Sequence, residues 1–360
     1  MSDVHNLSKD DWLRSSFPEW GTYLNEEIAN TVVDPNTFAM WWIGCMGLWV
    51  KSEEQTNICF DLWFGTGKQS QDKKHYHKGH QMRNMSGGKL IQPNLRVQPV
   101  VLDPFSDIAI PDLDAVIVTH YHGDHVDKHF MAALLKHGKK DIPFIGPEKV
   151  VEKWLSWGVP ADRCITVKPG DKIQVKDITV HAVDSFDRTC LVTQDEYEDV
   201  RGKLIDFDAD MASKAVNYVV ETKAGTLYHA GDSHYSVRFV KHGKDFDIDV
   251  AVGAFGENPP AVADKLSSVD ILRMGEALNT NVVIPIHHDI WSNMMADTKE
   301  ILVLYEMRKY RLDYKFKPFI WEVGGKFVWP LDKDKREYHH RRGFEDAFAE
   351  EPNVPYKVIL

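Results

Sequence analysis

The chain has 360 residues, 43% of them hydrophobic and 11 of them Trp, enough apolar side chain for a large core in one or two domains. Its formal net charge of −11 excludes a surface built for long nucleic acids, which must displace phosphate counterions, but leaves room for a small basic pocket. No run reaches the ~20 apolar residues of a membrane span, and Met1-Ser2-Asp3-Val4-His5-Asn6 carries no basic-then-apolar signal pattern. The cysteines Cys45, Cys59, Cys164 and Cys190 form no Cys-x-x-Cys, so free thiols in a cytoplasmic protein are expected.

In chain order, residues 40–50 are apolar, the chain turns at 52–55, and it returns through 58–63, which reads as a hairpin. A polar stretch, 65–89, is long enough to be a functional loop. It holds His75, His77 and His80 among Lys73, Lys74 and Lys78, and reads as solvated. Short strands are expected at 100–102, after Pro99, and at 115–119 and 142–145, followed by a helix over 148–157 stopped by Gly158. Strand pairs follow at 172–175 with 178–183 and at 215–221 with 226–229, the second pair joined through Lys223-Ala224-Gly225. The last third alternates strand 248–254, helix 267–278, strand 282–286 and helix 297–310. Strand-rich halves that each carry helices suggest two facing sheets with helices outside.

Chemistry concentrates in Thr119-His120-Tyr121-His122-Gly123-Asp124-His125, directly after the apolar Ala115-Val116-Ile117-Val118. Crowded imidazole and carboxylate groups are costly unless a cation binds them, and both are preferred ligands of divalent metals. The pattern therefore points to a metal site, of one or two ions. Three later strand exits offer further ligands: Asp187, Asp232 after Gly231, and His287 after Val282-Val283-Ile284-Pro285-Ile286. His288 competes with His287 but should point the other way from the strand end. His181 and His229 lie inside apolar strands and read as core histidines.

His120-x-His122-x-Asp124-His125, Gly231-Asp232 and Pro285-Ile286-His287 together resemble the metallo-β-lactamase superfamily. Other segments narrow the resemblance to a sugar-phosphate lactonase branch. They include Phe17-Pro18-Glu19-Trp20-Gly21, Gln92-Pro93-Asn94-Leu95-Arg96, Phe186-Asp187-Arg188-Thr189 and His287-His288-Asp289-Ile290-Trp291. The resemblance implies an αββα sandwich of two facing mixed β-sheets with helices outside. It spans 1–360 as one hydrolase domain, with a loop insertion at about 65–96 and a C-terminal extension from about 315. It further implies that His120 and His122 hold a first metal, that Asp124, His125 and His287 hold a second, and that Asp232 bridges them. Asp187 stands where most of the superfamily has His, an oxygen-rich substitution that favours manganese or iron over zinc. A homo-oligomer is implied as well.

The implied reaction is hydrolysis of the lactone ring of L-ascorbate 6-phosphate to 3-dehydro-L-gulonate 6-phosphate, a carboxylic ester hydrolysis. A metal-activated water would attack the carbonyl, and Asp124 would accept its proton. Asp232 would hold the two ions together at the reacting centre. His288 or His234 is the candidate proton donor to the leaving oxygen. Arg188, Lys68 and Arg96 are the candidate phosphate contacts. Two alternatives stay open: a metal-dependent phosphodiesterase or ribonuclease built on the same centre, and a non-catalytic metabolite-binding protein.

Overall fold

The structure is a computed structural model, and it describes residues 3–15, 23–65, 96–192, 210–256, 265–292 and 294–338. One sheet holds β1 (Phe38–Gly44), β2 (Gly47–Lys51), β3 (Asn57–Phe60), β4 (Leu113–Ile117), β5 (Phe144–Gly146), β6 (Cys164–Thr166) and β14 (Lys326–Trp329). The other holds β7 (Lys172–Val175), β8 (Ile178–Asp184), β9 (Val216–Thr222), β10 (Gly225–His229), β11 (Val250–Ala254), β12 (Val282–Ile286) and β13 (Lys317–Pro318). The strand orders are β14-β1-β2-β3-β4-β5-β6 and β13-β12-β11-β10-β9-β8-β7. Each sheet is antiparallel over one half and parallel over the other, with the change at β3 and at β10.

The helices among the described residues are α1 (Lys9–Ser15), α2 (Tyr23–Asn30), α3 (Lys128–His137), α4 (Glu148–Ser156), α5 (Thr189–Val192), α6 (Met211–Lys214), α7 (Phe239–Asp245), α8 (Ser268–Leu278) and α9 (Lys299–Arg308), of which α7, α8 and α9 cover the outer face of the second sheet. The alternation of side chains along the strands explains the layering. Val250, Val252, Ile284 and Ile286 face the core between the sheets, whereas Ala251 and Val283 face the cluster under α7, α8 and α9. Because both faces are buried, these strands read as unbroken apolar runs. Two mixed sheets of seven strands among the described residues, flanked by helices, match the expected sandwich.

Several boundaries differ from the sequence reading. The apolar run 40–50 is two strands, β1 and β2, divided at Cys45-Met46, where Gly44 (φ 113°) and Cys45 (φ 51°) turn the chain. Apolarity on both faces hid that turn. The hairpin at 52–55 joins β2 to β3 as expected. At 100–102 no strand forms; Val100 alone makes a bridge. The segment from 315, set apart as an extension, supplies β13 and β14, one strand to each sheet. The expected loop at 65–89 lies outside the described residues beyond Gly65.

The sheets meet at Phe60, whose ring lies 5.1 Å from that of His229 and 5.9 Å from that of Tyr218. All three side chains are fully or almost fully buried. Truncating Phe60 removes an aromatic from the centre of a close-packed layer. Phe60→Ala is expected to cost about 3–5 kcal/mol, read as a lower urea midpoint. A loss under about 1 kcal/mol would show that the sheets do not depend on this contact.

Candidate metal centre

The turn after β4 is fastened by a carboxylate that the sequence reading did not single out. Asp61, just beyond β3 and in a left-handed conformation (φ 46°), accepts from Thr119 N at 2.7 Å and Thr119 Oγ1 at 2.6 Å. Its Oδ2 also lies 3.0 Å from His125 Nδ1. Thr119 Oγ1 in turn lies 3.0 Å from His120 Nδ1. Across the sandwich, Val216 N donates to Thr119 O at 2.9 Å. One buried carboxylate thus sets the inner nitrogens of two histidines and leaves both Nε2 atoms turned away from it. At the far end of the turn, Asp127 caps α3, accepting from Phe130 N at 2.9 Å.

Two clusters of donor atoms result. In the first, His120 Nε2 is 2.9 Å from His122 Nδ1 and 3.7 Å from Asp187 Oδ2. Asp187 is oriented by Thr189, whose N donates to Oδ1 at 2.9 Å and whose hydroxyl donates to the same oxygen. Cys190 completes this cluster, its Sγ 2.9 Å from Asp187 Oδ2 and 3.9 Å from His122 Nε2.

In the second, His125 Nε2 lies 3.4 Å from Asp232 Oδ1 and 3.8 Å from Asp124 Oδ1. His287 Nε2 is 3.5 Å from both Asp232 Oδ1 and Asp124 Oδ2. Cys45 Sγ sits 3.8 Å from Asp124 Oδ2, and Cys45 O accepts from His287 N at 3.1 Å. His125 Nε2, His287 Nε2 and Asp232 Oδ1 are buried without a hydrogen-bond partner. Unsatisfied buried polar atoms cost ~1–3 kcal/mol each, yet three converge here, with Asp232 Oδ1 3.4–3.5 Å from the two ring nitrogens. A divalent cation held by His125, His287 and Asp232 would satisfy all three, so the donor set fits a metal.

The electrostatics agree. Burial alone would raise the Asp124 carboxyl, but His125 and His287 hold it well below the ordinary carboxylate range. Asp232 is lowered in the same way, by His287, Lys265 and His125 against burial. Burial, reinforced by His125 and His122, pushes His120 well below the usual imidazole value. His125 goes the other way: burial opposes its charge, but Asp232, Asp124 and Asp61 raise it.

Of the residues expected at the site, His120, His122 and Asp187 fall in the first cluster, and Asp124, His125, His287 and Asp232 in the second. Asp232 turns Oδ1 towards the second cluster, while its Oδ2 accepts from Lys265 Nζ at 2.6 Å. His288 packs its ring 4.9 Å from that of Trp42 and bonds Asp289 through Nδ1 at 2.9 Å. His229 is a core histidine, its Nε2 3.0 Å from Met46 O. His181 is half-buried and pairs with Glu221 at 2.7 Å.

Arg96 is tied to the scaffold: its Nε, Nη1 and Nη2 donate to the carbonyls of Gln98, Trp63, Gly65 and Pro99 at 2.9–3.1 Å. Lys68 lies outside the described residues, and Arg188 is exposed. Missed by sequence reasoning were Asp61, Lys265 and the two thiols. Asp61 could have been found, because it is a carboxylate at a strand exit like the others. Cys190 follows Asp187 by three residues, one helical turn; Lys265 carries no local signal.

Because Asp61 fixes the His125 tautomer, Asp61→Asn is expected to weaken metal binding about 10–100-fold. Cobalt(II) titration of the metal-stripped protein followed by visible absorption would measure it. Unchanged affinity would show that the His125 ring holds its place unaided.

Residues 86–288 match a family described as the beta-lactamase superfamily domain. Over all 360 residues the chain is 56% identical to the probable L-ascorbate-6-phosphate lactonase UlaG of Escherichia coli strain SMS-3-5, covering 100% of both chains. The protein of that name from Escherichia fergusonii gives the same identity and coverage. Among solved structures, the fold is similar to Igni18, a metallo hydrolase from Ignicoccus hospitalis (TM-score 0.53, 14% identity, 81% of this chain and 98% of that one). It is also similar to an isothiocyanate hydrolase from Delia radicum gut bacteria (TM-score 0.53, 20% identity, 80% and 98%). With the double-sheet fold, the two donor clusters and a full-length relative in hand, the chain belongs to the metallo-β-lactamase superfamily.

Proposed function

We propose that this protein is a metal-dependent lactonase that hydrolyses the lactone ring of L-ascorbate 6-phosphate to 3-dehydro-L-gulonate 6-phosphate. The observation that carries the reading is 56% identity, end to end, with relatives bearing that name. The two donor clusters supply the chemistry that such a reaction needs.

Bound in those clusters, divalent cations supply an acidified water and a Lewis acid for the lactone carbonyl. The rest of the work falls to the chain. Asp124 is the most open of the second cluster's ligands, its side chain 26% exposed, and it is held ionised beside His125 and His287. Its carboxylate is the acceptor for the proton of the attacking water. Asp61 keeps His125 in one tautomer, and Lys265 anchors Asp232 by one oxygen so that the other faces His125 and His287. The ring oxygen leaves with its electron pair and takes a proton. We assign that donation to His288, whose Nδ1 is fixed on Asp289 and whose Nε2 has no partner among the described residues.

Manganese is the metal we propose, with zinc or iron as substitutes, on the strength of the carboxylates Asp124, Asp187 and Asp232. Cys45 and Cys190, one beside each cluster, pull towards the softer ions. The free thiols accord with a reducing cytoplasm, where we place the enzyme as a homo-oligomer acting on a small anionic sugar phosphate.

Loss of the ascorbate-ring ultraviolet absorbance tests the proposal. Metal-stripped protein reloaded with manganese is expected to consume L-ascorbate 6-phosphate. Asp232→Ala should lower the rate at least about a hundredfold, and His288→Gln about 10²–10⁴-fold. No decay with manganese, zinc or iron would sink the substrate assignment and make phosphodiesters the next compounds to try.

A further inference from the structure

Two loops reach the metal centre from the second sheet, one after β8 with Asp187 and one after β10 with Asp232. They are stitched together just beyond those ligands. Phe186 N donates to Ser233 Oγ at 2.9 Å, His234 N donates to Phe186 O at 3.2 Å, and the Ser185 and Ser233 hydroxyls lie 3.3 Å apart. Ser233 Oγ is itself anchored on Asn217 at 2.9 Å. The pair of loops therefore moves as one body with the ligands it carries.

Each loop also carries an arginine. Arg188 follows Asp187 directly, and Arg238 stands immediately before α7, at the end of the Asp232 loop. Both are exposed, and among the described residues neither guanidinium has an ion pair or hydrogen bond. They border one hollow of about 350 Å³, completed by Ser185, Phe186, Met211, Tyr235 and Ser236, with no acidic side chain in its lining. Neighbouring exposed basic groups pair with carboxylates, Lys241 with Asp245 and Arg273 with Asp270, whereas these two do not. Two guanidinium groups bordering one hollow, on the loops that carry Asp187 and Asp232, can act as an anion receptor: planar forks that match phosphate oxygens.

We propose that Arg188 and Arg238 form the subsite for the phosphate monoester of the substrate, with the Ser236 hydroxyl as a neutral partner. The inference rests on the lactonase reading and adds what selects the phosphorylated over the free lactone. The chemistry suits the layout. The phosphate sits on the side chain at the far side of the ring from the scissile carbonyl, so its receptor must lie about one side chain away from the metals. Arg188 is the residue next to Asp187 in the chain.

Steady-state kinetics of the manganese-loaded enzyme on L-ascorbate 6-phosphate and on L-ascorbate tests the subsite, with Arg188→Gln, Arg238→Gln and Arg238→Lys. Each Gln variant is expected to raise KM for the phosphorylated substrate about 10–100-fold. The ratio of kcat/KM between the two substrates should fall by the same factor, and Lys should restore part of it. Equal losses on both substrates would overturn the proposal, because the guanidinium would then be only a support of the metal loops. An unchanged KM would overturn it too. Calorimetry with inorganic phosphate gives a second readout: weaker binding in the Gln variants supports the subsite, and unaltered binding refutes it. If the wild type opens neither lactone, the lactonase reading falls, while the phosphate titration still decides the subsite.

Discussion

The site is organised around one buried carboxylate. Asp61 leaves β3 in a left-handed turn and binds the backbone and hydroxyl of Thr119 at the exit of the neighbouring parallel strand β4. The same carboxylate touches His125, five residues beyond His120. A free loop carrying three histidines and an aspartate would lose considerable entropy on being ordered, and its like groups would repel one another. Fastening both ends of the turn to a single acceptor lets the fold meet those costs before any metal arrives. It also fixes which imidazole nitrogens face the donor clusters, so the arrangement of those donors is set by the sheet.

How much of this could be read from sequence follows from how far apart the interacting residues lie along the chain. The His120–His125 motif was legible because its members are contiguous and directly follow an apolar strand. The strand β12 and the pair β7–β8 were legible for a related reason: their hydrophobic runs end at Gly, Asn or charged residues. Where the run did not end, the reading failed. β1 and β2 are buried on both faces, so the tight turn at Cys45-Met46 left no polar mark. β14 pairs with β1 across almost the whole chain, a partnership that no local pattern encodes. Arg96 was taken for a substrate contact because it is a loop-borne charge. In the structure it donates to carbonyls of 63, 65, 98 and 99 and supports the turn at Gly44, where an added Cβ would meet its Nη2 at 2.7 Å.

The thiols refine the chemistry in a way composition could not. Four scattered cysteines suggested nothing about a metal, yet two of them come to rest among the donors, one per cluster. Cys190 reaches its place because α5 starts two residues after Asp187 and brings it back one turn later. Cys45 does so because the β1–β2 turn is held by His287 N on one side and by the Gln98 side chain on the other. Carboxylate oxygen and thiol sulfur favour different ions, so the two clusters are mixed in character, and metal selection depends on geometry as much as on donor type.

Charge is divided between centre and rim on the same principle. Inside, Asp124, Asp187 and Asp232 supply negative charge that divalent cations held in the clusters would neutralise. An anionic substrate approaching a protein of net charge −11 needs a local reversal of sign. The loops that bear Asp187 and Asp232 provide it on their outer ends, at Arg188 and Arg238. Because the serine contacts between 185 and 233 lock those loops together, the spacing between the loop ends that carry the arginines and the ligands Asp187 and Asp232 is set by the scaffold. A substrate whose anionic group and reactive carbonyl are separated by that distance is held at both ends at once, and the entropy of aligning it is lost on binding and not at the chemical step.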